Sequence, residues 1–267
     1  TWALARQLLR LDQPADAPGP AATRALPLLA AALVALNPYL VWYSQEGKMY
    51  GWLTALALLT LLAFLRALQH GGAARWLLWL TLLAAAVLHH IWAILLAPLG
   101  AVWLMLLGKR YRRRRLPFLL TLALPALPYL WLMGWWQWRL WRTADFQTGH
   151  PFVPLGQMIS GLATAYTTGL SGAPTRWPLI GLMGLLLAAT WLPARHRETR
   201  IAPSLLWSWL LLPPLALYLV SLNKPLYTDR YVIWIAPALA LLTAQGILAL
   251  RRVARPLGAL ALAAALM

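Results

Sequence analysis

Apolar runs of about bilayer-crossing length, separated by short polar turns, make up most of the chain. A hydrocarbon core of roughly 30 Å needs about 20 residues of helix, with a working range of about 17 to 25. By that measure spans are predicted over Ala25 to Tyr43, Met49 to Ala67, Leu116 to Gly134, Trp177 to Pro193, Pro203 to Val220 and Val232 to Ala249. Between Trp76 and Leu107 the apolar stretch is too long for one crossing and short for two. Charge decides it, because Arg75 precedes the stretch and Lys109-Arg110-Tyr111-Arg112-Arg113-Arg114-Arg115 follows it. Both ends should then lie on one side, with His89-His90 at the outer turn of a tight hairpin. The expected fold is all-α: a polytopic transmembrane helical bundle of about eight complete spans with truncated ends, in a single transmembrane domain over residues 1-267.

Composition agrees with this reading. Of 267 residues, 61% are hydrophobic, 17 are Trp and only 11% are charged, outside the range of a water-soluble domain. The net charge of +17 raises the question of nucleic-acid binding. The basic residues, however, fall in clusters between apolar runs and form no surface stripe, so topology is the better account and no nucleic-acid partner is expected. No cysteine is present, so disulfide and thiolate-metal schemes are excluded. The opening Thr1-Trp2-Ala3-Leu4-Ala5-Arg6 reads as the tail of a helix leaving the membrane, and the end falls inside the apolar run Pro256 to Met267. An internal fragment of a longer protein is therefore expected.

Alternating the spans places Arg66, Arg75, the Lys109 to Arg115 run, Arg195-His196-Arg197 with Arg200, and Arg251-Arg252 with Arg255 on one side. The positive-inside rule makes that side cytoplasmic. The other side receives the Tyr43 to Lys48 turn, the histidine pair, the Trp135 to Arg176 loop and Ser221 to Tyr231, and with them Glu46, Asp145 and Asp229. Asp12, Asp16 and Glu198 sit among cytoplasmic basic residues, where solvation suffices. Within the long loop Leu155, Met158, Ile159, Leu162 and Tyr166 recur at three- and four-residue spacing, so Val153 to Thr167 is either an interfacial helix or irregular loop.

Polar chemistry thus gathers on the outer side. If Ser44 to Tyr50 opens the next helix, Glu46 and Tyr50 share one face and Ser44 and Lys48 the adjacent one. Lys48 or Arg230 could hold an anionic phosphate, and a carboxylate could accept the proton that an attacking hydroxyl must lose. The structural alternatives stay open beside this. Glu46 and Lys48 could simply fix helix depth, Asp229 and Arg230 could cap a helix, and Tyr and Trp at span ends could form the aromatic belt. His89 and His90, as helix neighbours, point about 100° apart and are poor joint ligands for one metal.

The stretch Asn37-Pro38-Tyr39 through Tyr43-Ser44-Gln45-Glu46-Gly47-Lys48-Met49-Tyr50 resembles a segment of bacterial polytopic glycosyltransferases of the GT-C fold class. These are relatives of the protein O-mannosyltransferases of family 39, the lipid A aminoarabinose transferase and the Rgt-type galacturonosyltransferases. Leu88-His89-His90 is similar to a turn of that family, and Tyr227-Thr228-Asp229-Arg230-Tyr231 with Pro237 to its late Arg-Tyr segment. Lys48 stands where the family more often has Arg, and Gly47 where Ala is common. The resemblance implies transfer of a sugar from a polyprenyl-phosphate donor to a lipid, glycan or protein acceptor among the membrane lipids, usually with inversion. It places the enzyme, multi-pass, in the bacterial cytoplasmic membrane, its active site facing the periplasm or exterior. Donor-phosphate contact carries over to Lys48, Arg230 and Tyr231. Tyr43, Gln45, Tyr50, His89 and His90 line the implied site, with Glu46 and Asp229 in support. The family's principal acidic pair is expected upstream of Thr1. No cofactor is implied, and a divalent metal stays open because family members differ on it.

The rival expectation is a transporter or flippase of lipid-linked sugar, in which the same groups line a path. Such a path needs polar groups near mid-membrane. The predicted spans carry almost no charge inside them, which favours a one-sided site. A purely structural membrane subunit would leave the clustered outer charges unexplained.

Overall fold

The computed structural model describes residues 1–11, 22–129, 149–169, 177–191, 201–253 and 255–266, with a few single positions between 131 and 142. Asp12, Asp16, Asp145, Glu198, Pro193 and the Arg195 to Arg200 cluster lie outside the described residues. Among those described, every regular element is helical. In chain order these are α1 (Trp2–Leu11), α2 (Ala22–Leu36), α3 (Pro38–Gln45), α4 (Tyr50–His70), α5 (Ala73–His89), α6 (Leu96–Leu106) and α7 (Arg115–Tyr129). They continue with α8 (Leu155–Thr168), α9 (Trp177–Ala189), α10 (Ile201–Ser221), α11 (Ala236–Val253) and α12 (Arg255–Leu266). Tighter 3-10 turns occupy Ile91–Leu95, Gly108–Arg114 and Asp229–Ile235.

Three helices are long and apolar enough to cross a membrane: Tyr50–His70, Ala202–Ser221 and Asp229–Val253. Helices of this kind are those of a membrane protein. A fourth span exists if Ala25–Leu36 and Pro38–Gln45, bent by 54°, count as one broken crossing. The expected continuous span Ala25 to Tyr43 is therefore corrected. Pro38 lacks an N–H and pushes Asn37 into an extended conformation (φ −64°, ψ 118°), so the helix stops and a new one starts. Of the expected eight spans, the two halves of the hairpin, Ala73–His89 and Ile91–Leu106, and Pro178–Ala189 are apolar but shorter. The predicted Leu116 to Gly134 span is described in regular form only as α7.

The hairpin itself is visible in its packing. Phe64 of α4 meets Trp76 (6.3 Å), Trp79 (5.4 Å), Trp103 (6.3 Å) and Phe118 (5.8 Å). Trp76 and Trp79 begin α5 while Trp103 ends α6, so the chain reverses between them, at His90. The Trp103 indole donates to the Leu205 carbonyl (3.0 Å), tying α10 to the same hub. This level of the bundle carries the arginines. Arg75 donates to Gly71 O, Arg110 to Leu11 O and Arg114 to Leu68 O, at 2.9, 2.9 and 3.1 Å. Two of these carbonyls lie at the C-terminal ends of α1 and α4, where a cation also meets the negative end of the helix dipole.

α11 is the central helix, buried from Ala236 to Thr243 without interruption and packed against α2, α9, α10 and α12. It approaches α9 closely at Gly246, where an added Cβ would stand 2.1 Å from the Leu186 carbonyl oxygen. A small residue is what lets two backbones meet so closely in a bundle. Gly246→Ala should therefore lower stability by about 1–3 kcal/mol through overpacking, read as a lowered midpoint of thermal unfolding in detergent. Gly184→Ala, which meets nothing within 4 Å, serves as the neutral control.

Candidate functional site

The end of the bundle opposite the arginine-bearing hub holds the polar residues, and the broken span positions them. Asn37 caps α3 by accepting from Leu40 N (3.0 Å), and its amide donates to the Tyr166 carbonyl of α8 (3.0 Å). One side chain thereby starts one helix and docks it on another. α8 ends at Gly169 (φ 73°), where a Cβ would lie 3.1 Å from Pro38 Cβ. The stretch expected to be either helix or loop is thus a helix, with Met158, Leu162, Ala165 and Tyr166 buried.

Because α3 begins at Pro38, Tyr39 and Tyr43 stand one turn apart on its buried face. From them a run of rings crosses the site. Tyr166 meets Tyr39 (5.0 Å), Tyr39 meets Tyr43 (4.8 Å), and Tyr43 meets Tyr50 (5.2 Å). Tyr50 then faces His90 (6.1 Å), and His90 faces Tyr231 (5.0 Å). His150 reaches the far side of Tyr231 at 6.1 Å. Several of these pairs are edge-on, the arrangement aromatic quadrupoles favour.

The Asp229–Ile235 turn passes through this wall. Asp229 accepts a hydrogen bond from the Tyr39 hydroxyl (3.0 Å) through one oxygen and from Thr228 (3.2 Å) through the other. Tyr166 donates to the Val232 carbonyl (3.2 Å), so two tyrosines from two helices pin the same turn. The Arg230 guanidinium lies over the Tyr50 ring, 5.8 Å from its centroid. Its Nε is buried and has no hydrogen-bond partner among the described residues. Asp229 and Arg230 form no ion pair; the ion pair among the described residues joins Lys48 to Glu46.

That pair sits on the exposed turn between α3 and α4, with Nζ and Oε1 2.8 Å apart. The expectation that Ser44 to Tyr50 opens a helix is corrected here. α3 runs through Gln45, and Gly47 (φ 67°) then breaks the chain, so Glu46 and Lys48 meet across a turn and not along a helix face. Gln45 is exposed. The two histidines separate: His89 Nε2 lies 2.9 Å from the Met49 carbonyl, while His90 enters the ring cluster. Among the described residues no three His, Asp or Glu side chains gather to hold a metal ion.

Tyr43, Tyr50, His90, Asp229, Arg230 and Tyr231 are thus brought together, whereas Glu46, Lys48, Gln45 and His89 occupy the exposed turn and its tether. Tyr39, Asn37, Tyr166 and His150 complete the wall without having been assigned to it from sequence. The signal for Tyr39 is its four-residue spacing from Tyr43, which puts both on one face of the helix that Pro38 starts. Two clefts flank the Asp229 to Tyr231 segment. One, of about 570 Å³, is lined by Gln157, Ser160, Thr164, Tyr227, Thr228 and Asp229. The other, of about 530 Å³, runs between His90, Ile91, Trp92, Val220, Leu226 and Tyr231 and is mostly apolar. No family model, curated protein or solved structure matches the chain.

Burial, with Asp229 nearby, pushes the Tyr227 phenol above the usual tyrosine range, so it remains a neutral hydroxyl at physiological pH. Burial and then the adjoining His89 hold His90 below the usual histidine value of 6.5. The Trp92 N–H donating to His90 Nδ1 (3.4 Å) fits the same neutral ring, with its proton on Nε2.

Two outcomes follow from this geometry. Tyr39→Phe removes one donor to a carboxylate and should lower unfolding stability by about 1.5–3 kcal/mol, measured by denaturation in detergent. Unfolded His90 takes its proton near 6.5, before folded His90 does. Stability should then be full above that pH and fall as pH drops through it, and His90→Gln should flatten that fall; parallel stability curves for the two proteins would refute it.

Proposed function

We propose that this chain belongs to a polytopic glycosyltransferase of the GT-C kind. It would move a sugar from polyprenyl phosphate to a hydroxyl-bearing acceptor at the outer face of the bacterial cytoplasmic membrane. The observation that carries the reading is the position of Arg230. Its guanidinium rests on an aromatic ring and its Nε is unpartnered among the described residues, while its chain neighbours Asp229 and Tyr231 line a hydroxyl-bearing cleft and an apolar groove respectively. A polyprenyl-phosphate sugar has the matching three parts: polyol, phosphate and hydrocarbon.

In the proposed reaction the acceptor oxygen bonds to the anomeric carbon as the carbon–oxygen bond to phosphate breaks. The departing phosphate keeps the electron pair, and Arg230 stabilises the charge that develops there. The acceptor's proton passes to a carboxylate. Asp229, fixed by Tyr39 and Thr228, orients sugar hydroxyls in the polar cleft. Of the two basic candidates Arg230 takes the phosphate, since Lys48 is engaged by Glu46 on an exposed turn. A one-sided site is further supported by burial: among the described residues no Asp, Glu, Lys or Arg is buried in the bundle.

The test is transfer of radiolabelled sugar from polyprenyl phosphate in membranes carrying the full-length protein. Arg230→Ala should reduce turnover roughly 10- to 100-fold, and Lys48→Ala by about fivefold or less. Unchanged turnover in Arg230→Ala would sink the phosphate assignment. Absence of transfer with any donor, together with scrambling of lipid-linked sugar in vesicles, would establish the flippase instead.

A further inference from the structure

The arginines at the opposite end of the bundle divide into two groups. Arg75, Arg110 and Arg114 are bonded to backbone carbonyls. Tyr111 is buried, with the Arg110 guanidinium 5.6 Å from its ring centroid, so the Gly108–Arg114 turn is anchored at several points. In a 3-10 turn residues three apart fall in one row. Tyr111 and Arg114 make the inward row, while Lys109, Arg112 and Arg115 make an outward one; Tyr111 leaves helical geometry (φ −116°, ψ 20°), yet burial still follows these rows. Lys109, Arg112, Arg115 and the adjacent Arg113 are all exposed.

Apolar surface begins on either side of this row. Met105 (63%) and Leu106 (47%) precede it, and Leu116 (64%), Leu119 (59%) and Leu120 (60%) follow it, all exposed. A rigid row of cations bordered by exposed leucines fits a molecule with both a phosphate and acyl chains. Soluble phosphate would leave the apolar surface unused. We propose that Lys109, Arg112 and Arg115 bind the headgroup of an anionic phospholipid, whose chains lie along Leu116, Leu119 and Leu120. The cations donate to the phosphate oxygens, and the backbone-bonded arginines hold the turn in shape. This site stands apart from Arg230 and does not depend on the proposed transfer reaction.

The full-length protein, purified in mild detergent and equilibrated with mixed phosphatidylglycerol and phosphatidylcholine vesicles, is read by native mass spectrometry for bound lipid. Phosphatidylglycerol should be retained over phosphatidylcholine, and the retention should weaken as salt rises. Each cation contributes roughly fivefold, so Lys109→Gln/Arg112→Gln/Arg115→Gln should lose roughly 100-fold. Arg66→Gln, which alters another exposed cation of the same end, should leave it unchanged. If the triple variant does not fold, Arg112→Gln alone reads the effect at roughly fivefold. Equal retention of the two lipids, or a folded variant that binds as well as the parent, would overturn the proposal. Displacement of the lipid by inorganic phosphate alone would also overturn it, marking a free-anion site.

Discussion

The structure is governed by the cost of placing a charge away from water. An ionisable group at the middle of a bilayer costs several kcal/mol on insertion scales. In this chain the described charged side chains are correspondingly absent from the buried core, which is filled by Trp, Phe, Leu and Ala. Charge is therefore confined to the two ends of the helices, and the two ends use it differently. At one, guanidinium groups complete the hydrogen bonding of helix C-termini. At the other, one carboxylate and one guanidinium are set into a wall of tyrosines and a histidine.

Breaks in helical geometry do the placing. The Asn37-Pro38 break turns α3 so that Tyr39 and Tyr43 face inward, and Gly47 releases the chain into α4 with Tyr50 next to them. His90 leaves helical geometry (φ −156°, ψ 122°) as the hairpin reverses, which carries its ring towards Tyr50 and Tyr231. The Asp229–Ile235 turn opens the Asp229–Val253 span in tighter geometry, and its Val232 carbonyl is held from outside by Tyr166. A continuous helix in any of these places would direct the same side chains around a cylinder and disperse them. The polar cluster is thus a product of departures from regular α-helix at the helix ends.

Much of this was legible in the sequence. Apolar run length located α4, α10 and α11 to within a few residues, and charge at the flanks of residues 76–107 found the hairpin without any structural information. The clustering of Tyr43, Tyr50, His90 and the Asp229 to Tyr231 segment at one end also followed from alternating the spans. What was not legible depends on neighbours distant in the chain. Tyr39 meets Asp229 across 190 positions, and the periodicity of α3 says only that Tyr39 is on an inward face. His89 and His90 are adjacent and chemically equal, yet one is tied to Met49 and the other enters the cluster, because the helix ends between them. The division of Arg110 and Arg114 from the exposed cations beside them was hidden for the same reason, since the carbonyls they meet belong to α1 and α4.

The contrast between Lys48 and Arg230 shows why position in sequence is a weak guide to a side chain's surroundings. Both lie in segments of outer polarity, and both are cations beside a carboxylate in sequence. An ion pair on an exposed turn gains at most about 1 kcal/mol, because water screens it and two long side chains must be ordered to make it. Lys48 is in that situation with Glu46, and Gly47 between them supplies the turn that lets them touch. Arg230 has no such partner: the carboxylate next to it is turned away, occupied by Tyr39 and Thr228. Its planar guanidinium lies over an aromatic ring, where less of its charge is screened and its donors are already oriented. A cation held this way attracts an incoming anion more strongly than one already neutralised in water, which is the physical ground on which the proposed reaction gives the phosphate to Arg230 and not to Lys48.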